Sequence, residues 1–168
     1  MLDDDKETGS AVVATGNPLA ARAARQMLLA GGSAVDAAIA ADAVLGVVEP
    51  MATGIGGDLL AMLVPHDGPA LCYNGTGRSP AALTTAMIDA LPGRRIPERH
   101  PLSVTVPGVV RGWHDLHRRY GRLPWRSLFN VAIAAARTGF VVAPVSAREW
   151  ALFAHVLRRD PACALLYQ

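Results

Sequence analysis

The residues from Gly31 to Leu63, GGSAVDAAIAADAVLGVVEPMATGIGGDLLAML, leave this chain few ways to fold. They read as a helix stop, a capped buried helix, a tight glycine turn and an apolar strand. Gly31-Gly32 is a helix-ending signal, because glycine takes the left-handed cap without steric cost. Ser33 followed by Asp36 has the spacing of a capping box, with aspartate in the Glu/Gln role. From Ala34 to Val48 almost every residue is Ala, Val, Ile or Leu, interrupted by Asp36, Asp42 and Gly46. A helix apolar nearly all round is buried between layers, and its alanines let neighbours approach closely. At about fifteen residues it is too short to span a bilayer. Pro50 ends it, since the residue before a proline is pushed out of the helical region.

Thr53-Gly54-Ile55-Gly56-Gly57-Asp58 then leads into Leu59–Val64, read as a buried apolar strand. Three glycines in four positions demand a sharp turn or a close backbone approach. A phosphate cradle lies between a strand and the helix after it. Here the helix comes first and no Gly-Lys-Ser/Thr follows, so a packed helix-to-strand turn is the better reading.

Taken with Arg78-Ser79-Pro80-Ala81, Val104-Thr105-Val106-Pro107-Gly108 and Tyr120-Gly121-Arg122-Leu123-Pro124-Trp125, these motifs stand in a specific order. They are Gly31–Ala38, Leu45–Pro50 and Thr53–Asp58. From about Ala11 to about Ala151 the chain resembles the gamma-glutamyltranspeptidase (glutathione hydrolase) family, in the N-terminal part of its large subunit. The resemblance implies an N-terminal nucleophile hydrolase, a four-layer αββα sandwich made as a precursor that cuts itself in two. In that family the nucleophile is the threonine exposed at the start of the second, small subunit. That segment is not among these residues, so no catalytic residue is assigned here. Residues 11–168 are expected to be a partial domain of this kind, and 1–10 a disordered lead.

Composition fits a globular piece: 168 residues, 51% hydrophobic, can bury a sizeable core. A net charge of +2 is too mild to argue for nucleic acid or an anionic membrane. Cys72 and Cys163 have neither metal spacing nor a disulfide framework and read as two isolated thiols. MLDDDKETGS is acidic and polar, unlike a secretory signal. The chain as given therefore reads as cytoplasmic, or as periplasmic or secreted if an upstream signal was removed. No cofactor and no metal are implied.

In order, Ala11–Thr15 is a short β-like run, and Asn17-Pro18 opens a helix to about Ala30 with Leu19, Ala23, Met27 and Ala30 on one face. His66-Asp67-Gly68 turns a hairpin between Leu59–Val64 and Ala70–Tyr73. Tyr73–Pro80 is a glycine-flanked loop carrying Arg78. An arginine beside glycines presents its planar guanidinium to a carboxylate with little crowding. In the family an arginine just upstream of the Ala-Pro-Ala segment holds the substrate α-carboxylate. Aligning Ser79-Pro80-Ala81 with that segment puts Thr76 at the arginine position and Arg78 two residues later. This glycine-arginine version is similar to that of relatives acting on other amides. Arg78 is the candidate substrate ligand, against the plainer reading of a surface arginine in an ordinary salt bridge.

Ala81–Leu91 reads as a helix in which Thr84 or Thr85 is an N-cap rather than a nucleophile, since nothing there resembles a cleavage site. The basic loop Pro92–Pro101 has no aromatic platform and reads as a solvated rim. Ser103–Val106 is expected to be a strand and Val109–Tyr120 a helix with Trp113, Leu116 and Tyr120 inward. His114 and His117 are helical neighbours, but no third ligand sits at metal spacing. Leu123-Pro124-Trp125 opens a helix to about Thr138, with Leu128, Val131, Ala132 and Ala135 inward and Gly139 as its stop. Pro144-Val145-Ser146 caps a last helix to about Arg158, broken by Asp160-Pro161, and Ala162–Gln168 closes nothing.

The pattern is α+β, helices packed on a sheet. The function implied is part of an enzyme that cleaves or transfers γ-glutamyl amides, with the small subunit as partner and without nucleic acid or membrane. A related amidohydrolase or acylase with another acyl group is the alternative, as is a truncated relative acting as a binding or structural module. A piece lacking the central strands is expected to expose apolar sheet surface.

Overall fold

A computed structural model describes residues 11–166. The expectation of disorder for residues 1–10 lies outside them. Contacts divide the chain into two compact units, one including residues up to Thr53 and from Tyr120 onward, the other Gly54–Arg119.

The first unit is helical: α1 (Pro18–Leu29), α2 (Ala34–Val48), α5 (Asn130–Thr138), α6 (Pro144–Leu157) and α7 (Pro161–Leu166). Asn17 caps α1, its side-chain oxygen accepting Leu19 N–H. The inward face of α1 centres on Ala20, Ala23 and Ala24, with Leu19 only half-buried and Ala30 exposed. Three small residues in register let α1 lie close along α2. On α2 the capping box is complete: Ser33 Oγ accepts Asp36 N–H, and Asp36 Oδ2 accepts Ser33 N–H. Ile39, Val44 and Val48 are buried, and α2 packs on α1, on α5 and on a 3-10 turn at Trp125–Phe129. That turn replaces the expected first turn of a longer helix; its N-terminal residue Pro124 offers no side chain to cap an α-helix. Leu128, Ala132 and Ala135 face inward as expected, with Val131 half-buried, and Gly139 at φ +80° ends α5.

Three sequence expectations fail here. Ala11–Thr15 forms no strand, because no neighbouring strand pairs with it among the described residues; Val12 is almost fully exposed. Ser146 does not cap α6. It is buried, and its hydroxyl donates to Glu49 Oε1, which also accepts from Asn17 Nδ2. Beyond Asp160 the chain does not simply trail off: Asp160 Oδ1 accepts Cys163 N–H and starts α7.

The second unit holds β1 (Leu59–Leu63), β2 (Leu71–Gly75), α3 (Thr85–Asp89) and α4 (Val109–Tyr120). The strands pair antiparallel, with Leu59 opposite Gly75 and Leu63 opposite Leu71, and the connection turns at Gly68, φ +126°. Leu59 and Tyr73 lie against α4 at Gly112, where an added Cβ would come 2.6 Å from Leu59 Cδ2. The opposite face of β1 is bare: Leu60, Met62 and Val64 are 74%, 69% and 73% exposed. This is the apolar sheet surface that a piece without its central strands was expected to expose.

The helix expected over Ala81–Leu91 shrinks to α3. Thr84 is its N-cap, accepting Met87 N–H. Ser103–Val106 is no strand: a 3-10 turn spans Pro101–Ser103, Val104 N–H still bonds back to Pro101 O, and the one backbone bond to another segment, Val106 N–H to Arg78 O, is too little for a ladder. In the basic loop Arg94 pairs with Asp89 at 2.8 Å and Arg99 with Glu98 at 3.8 Å, both pairs exposed to solvent.

Candidate functional site

The glycine turn before β1 is exposed rather than packed; an added Cβ at Gly54 or Gly56 would meet nothing within 4 Å. Its work is done by backbone and by the residue at its end. Gly57 O accepts both Gly108 N–H (3.0 Å) and Val109 N–H (3.1 Å), fixing the entry to α4. Asp58 Oδ1 accepts Gly77 N–H at 2.7 Å and the Thr105 hydroxyl at 3.3 Å. One carboxylate thus joins the start of β1, the loop after β2 and the segment before α4.

The loop carrying Arg78 is held at successive residues. Asn74 Oδ1 accepts Thr76 N–H at 3.0 Å, Asp58 takes Gly77 N–H, and Arg78 O accepts Val106 N–H at 2.9 Å. Two glycines are required by this closeness. A Cβ on Gly77 would overlap Val106 O, and one on Gly108 would overlap Gly75 O. The Arg78 side chain is exposed and forms no hydrogen bond or ion pair with any described residue. The ordinary salt bridge weighed against a ligand role is therefore missing among those residues. The arrangement is a rigid backbone cradle presenting a free guanidinium, able to bind a carboxylate bidentately.

Below the sheet, Tyr73 OH donates to Asp115 Oδ2 (3.1 Å), and Arg111 Nε donates to both oxygens of Asp115 at 2.9 Å. Burial, then the Asp115 carboxylate, push the Tyr73 hydroxyl above its ordinary pKa. The Arg111 hydrogen bond outweighs desolvation and holds Asp115 below the usual carboxylate range. His114 is exposed on α4, with Nδ1 3.8 Å from Asp115. Among the described residues no group of three or more His, Cys, Asp or Glu side chains could hold a metal ion. Cys72 and Cys163 are free thiols. No helix among the described residues is long and apolar enough to cross a membrane.

Sequence reasoning singled out Arg78 and missed Asp58, Asn74 and Thr105. The available signal was a carboxylate placed directly after three glycines. Separately, within the first unit, a groove of about 1050 Å³ runs beside α6, lined by Val47, Pro50, Phe140, Trp150, His155 and Arg158. No motif had pointed to it.

Capped helices around a buried alanine-rich helix, with an antiparallel hairpin laid on a further helix, make an α+β hydrolase fragment of the N-terminal nucleophile type. Residues 20–168 match the family model for gamma-glutamyltranspeptidase, and the chain belongs to that family. It is 34% identical over 161 residues to glutathione hydrolase 3 of Arabidopsis thaliana, covering 95% of this chain and 25% of the relative. It is 36% identical to the acylase ACY 1 proenzyme of Pseudomonas sp. (strain V22), covering 95% and 30%. The solved gamma-glutamyltranspeptidase of Helicobacter pylori superposes with a TM-score of 0.85 at 25% identity, over 94% of this chain and 46% of that one. The chain thus spans between a quarter and a third of the length of these two curated relatives.

Proposed function

We propose that residues 11–168 are part of a larger enzyme domain that cleaves or transfers γ-glutamyl amides, with Arg78 binding the substrate carboxylate. The observation that carries this reading is the cradle: three consecutive residues, Thr76 to Arg78, are fixed by side-chain and backbone partners while the guanidinium has no partner among the described residues. Scaffold and one pocket wall come from these residues. The nucleophile, a threonine whose own freed amine acts as base, comes from a small subunit, the second product of precursor cleavage. It attacks the amide carbonyl, and water or an amino acid then receives the acyl group. Backbone N–H groups outside this chain stabilise the oxyanion.

A second reading, an acylase acting on another amide, is favoured by Thr76 at the family's arginine position and by the similarity to the acylase ACY 1 proenzyme. One experiment separates the two and tests Arg78. In the native enzyme, Arg78→Ala is assayed on a γ-glutamyl anilide and on the 4-aminobutyryl anilide, which lacks the α-carboxylate. Loss of a charge-assisted pair is worth about 1.5–3 kcal/mol, or on the order of 10- to 100-fold in KM for the first substrate. The second substrate should be unaffected. Equal effects on both, or none on either, refute the role given to Arg78. Turnover of other amides with none of the γ-glutamyl anilide selects the acylase.

A further inference from the structure

We propose that Asp58 is the positioning residue for Arg78, and so sets how tightly a substrate carboxylate is held. The inference rests on the role proposed for Arg78. Beyond Gly75 the chain leaves the β-ladder, and no sheet hydrogen bond steadies the loop. Among the described residues two side chains accept a loop N–H: Asn74, at the end of β2, takes Thr76 N–H, and Asp58, nineteen residues upstream of Gly77 at the foot of β1, takes the N–H next to Arg78. Its 2.7 Å bond to Gly77 N–H is short, as a charge-assisted bond is. The residue after Gly77 is Arg78. Asp58 thus transfers the rigidity of the hairpin to the backbone that carries the guanidinium.

Two features make this a device rather than an incidental contact. Gly77 is pressed so close to Val106 O that a side chain there is excluded, so only glycine lets the backbone that donates to Asp58 lie at this place. The same oxygen also takes the Thr105 hydroxyl, which aims the carboxylate from the other side. With Oδ1 committed to two donors, Asp58 forms no ion pair with Arg78 among the described residues and leaves it free for substrate. Because geometry a fraction of an ångström off weakens bidentate binding, loosening the loop acts on binding before chemistry.

The test compares Asp58→Ala, Asp58→Ser, Asp58→Asn and Arg78→Ala in the native enzyme. KM and kcat are measured on the γ-glutamyl and 4-aminobutyryl anilides, and deuterium uptake on peptides spanning residues 74–80. Asp58→Ala should raise KM for the γ-glutamyl anilide on the order of 10-fold, with kcat changed less than about two-fold and the 4-aminobutyryl anilide unaffected. Uptake at Gly77 should rise with it. Asp58→Ser, too short to reach Gly77, should match Asp58→Ala and decides the matter if the alanine variant does not accumulate. Asp58→Asn, which keeps an acceptor oxygen, should restore most of the affinity. Combining Asp58→Ala with Arg78→Ala should be no worse than Arg78→Ala alone. If Arg78→Ala raises KM while Asp58→Ala and Asp58→Ser leave KM unchanged, Asp58 has no positioning role and Arg78 keeps its own. If Arg78→Ala leaves KM unchanged, or the γ-glutamyl anilide is not turned over, both readings fall.

Discussion

Asp36 is the residue whose removal should cost this fold most for its size. It is fully buried, and its Oδ2 accepts three backbone N–H groups: Ser33 at 2.8 Å, Arg122 at 2.9 Å and Leu123 at 3.2 Å. The first belongs to the cap of α2; the other two come from residues 86 and 87 positions away. Asp36→Ala strands all three donors. Each buried unsatisfied group costs about 1–3 kcal/mol. Arg122 is exposed and Leu123 half-buried, so water reaches part of the gap and the low end applies. The expected loss is about 3–5 kcal/mol, out of a typical total of about 5–15 kcal/mol. In a domain of this size that lowers Tm by roughly 6–20 °C. Asp36→Asn keeps one acceptor and should lose about 1–2 kcal/mol. Calorimetric and urea unfolding of the native protein measure both.

Acid provides an internal control. Burial raises the Asp36 pKa, but the hydrogen bonds from Ser33, Arg122 and Leu123 outweigh it, and the folded-state value lies below the ordinary 3.8. The unfolded chain therefore binds more protons in that window. The stabilisation is fully present above the unfolded value and disappears as pH falls through the folded one. The gap between wild type and Asp36→Asn should be flat near neutrality and narrow below about pH 4. A loss under about 1 kcal/mol for Asp36→Ala, or a gap that does not narrow in acid, would refute the reasoning.

Neighbouring glycines should behave differently. At Gly32 a Cβ would sit 2.7 Å from Met27 O and 2.8 Å from Leu123 Cδ1, so Gly32→Ala should cost about 1–3 kcal/mol, read by urea unfolding. Gly31, at φ +84° with open space around it, should cost only about 1 kcal/mol as alanine, the strain of the left-handed region. The reverse order would contradict the packing described. A polypeptide of residues 1–168 alone should self-associate through the bare Leu60–Met62–Val64 face, as sedimentation would show, and replacing Leu60 and Met62 by lysine should suppress this. A sharp, reversible melt of a monomer would argue against it.

What was legible in the sequence was local. The Asn17 cap, the Ser33/Asp36 box, the Gly68 turn, the Thr84 cap and the Gly139 stop all act within a few residues of themselves. Ala11–Thr15 and Ser103–Val106 have strand-like residues, yet a strand exists only where a partner offers its edge. Ser146 has the composition of a cap but lies close enough to Glu49 to spend its hydroxyl there instead. The same holds for the site. Arg78 stood out by its glycine neighbours, whereas Asp58 acquires its role only through Gly77 and Thr105, nineteen and forty-seven residues away. Asp36 was visible as a cap residue, and its bonds to Arg122 and Leu123 were not.

The central claim, that these residues belong to a self-cleaving amide-cleaving enzyme, is tested most directly by mass spectrometry of the native product in its source cells. The account predicts a polypeptide carrying these residues that is larger than 17.6 kDa, together with a companion chain whose first residue is threonine. A single uncleaved chain, or a 17.6 kDa product without a companion, would contradict it.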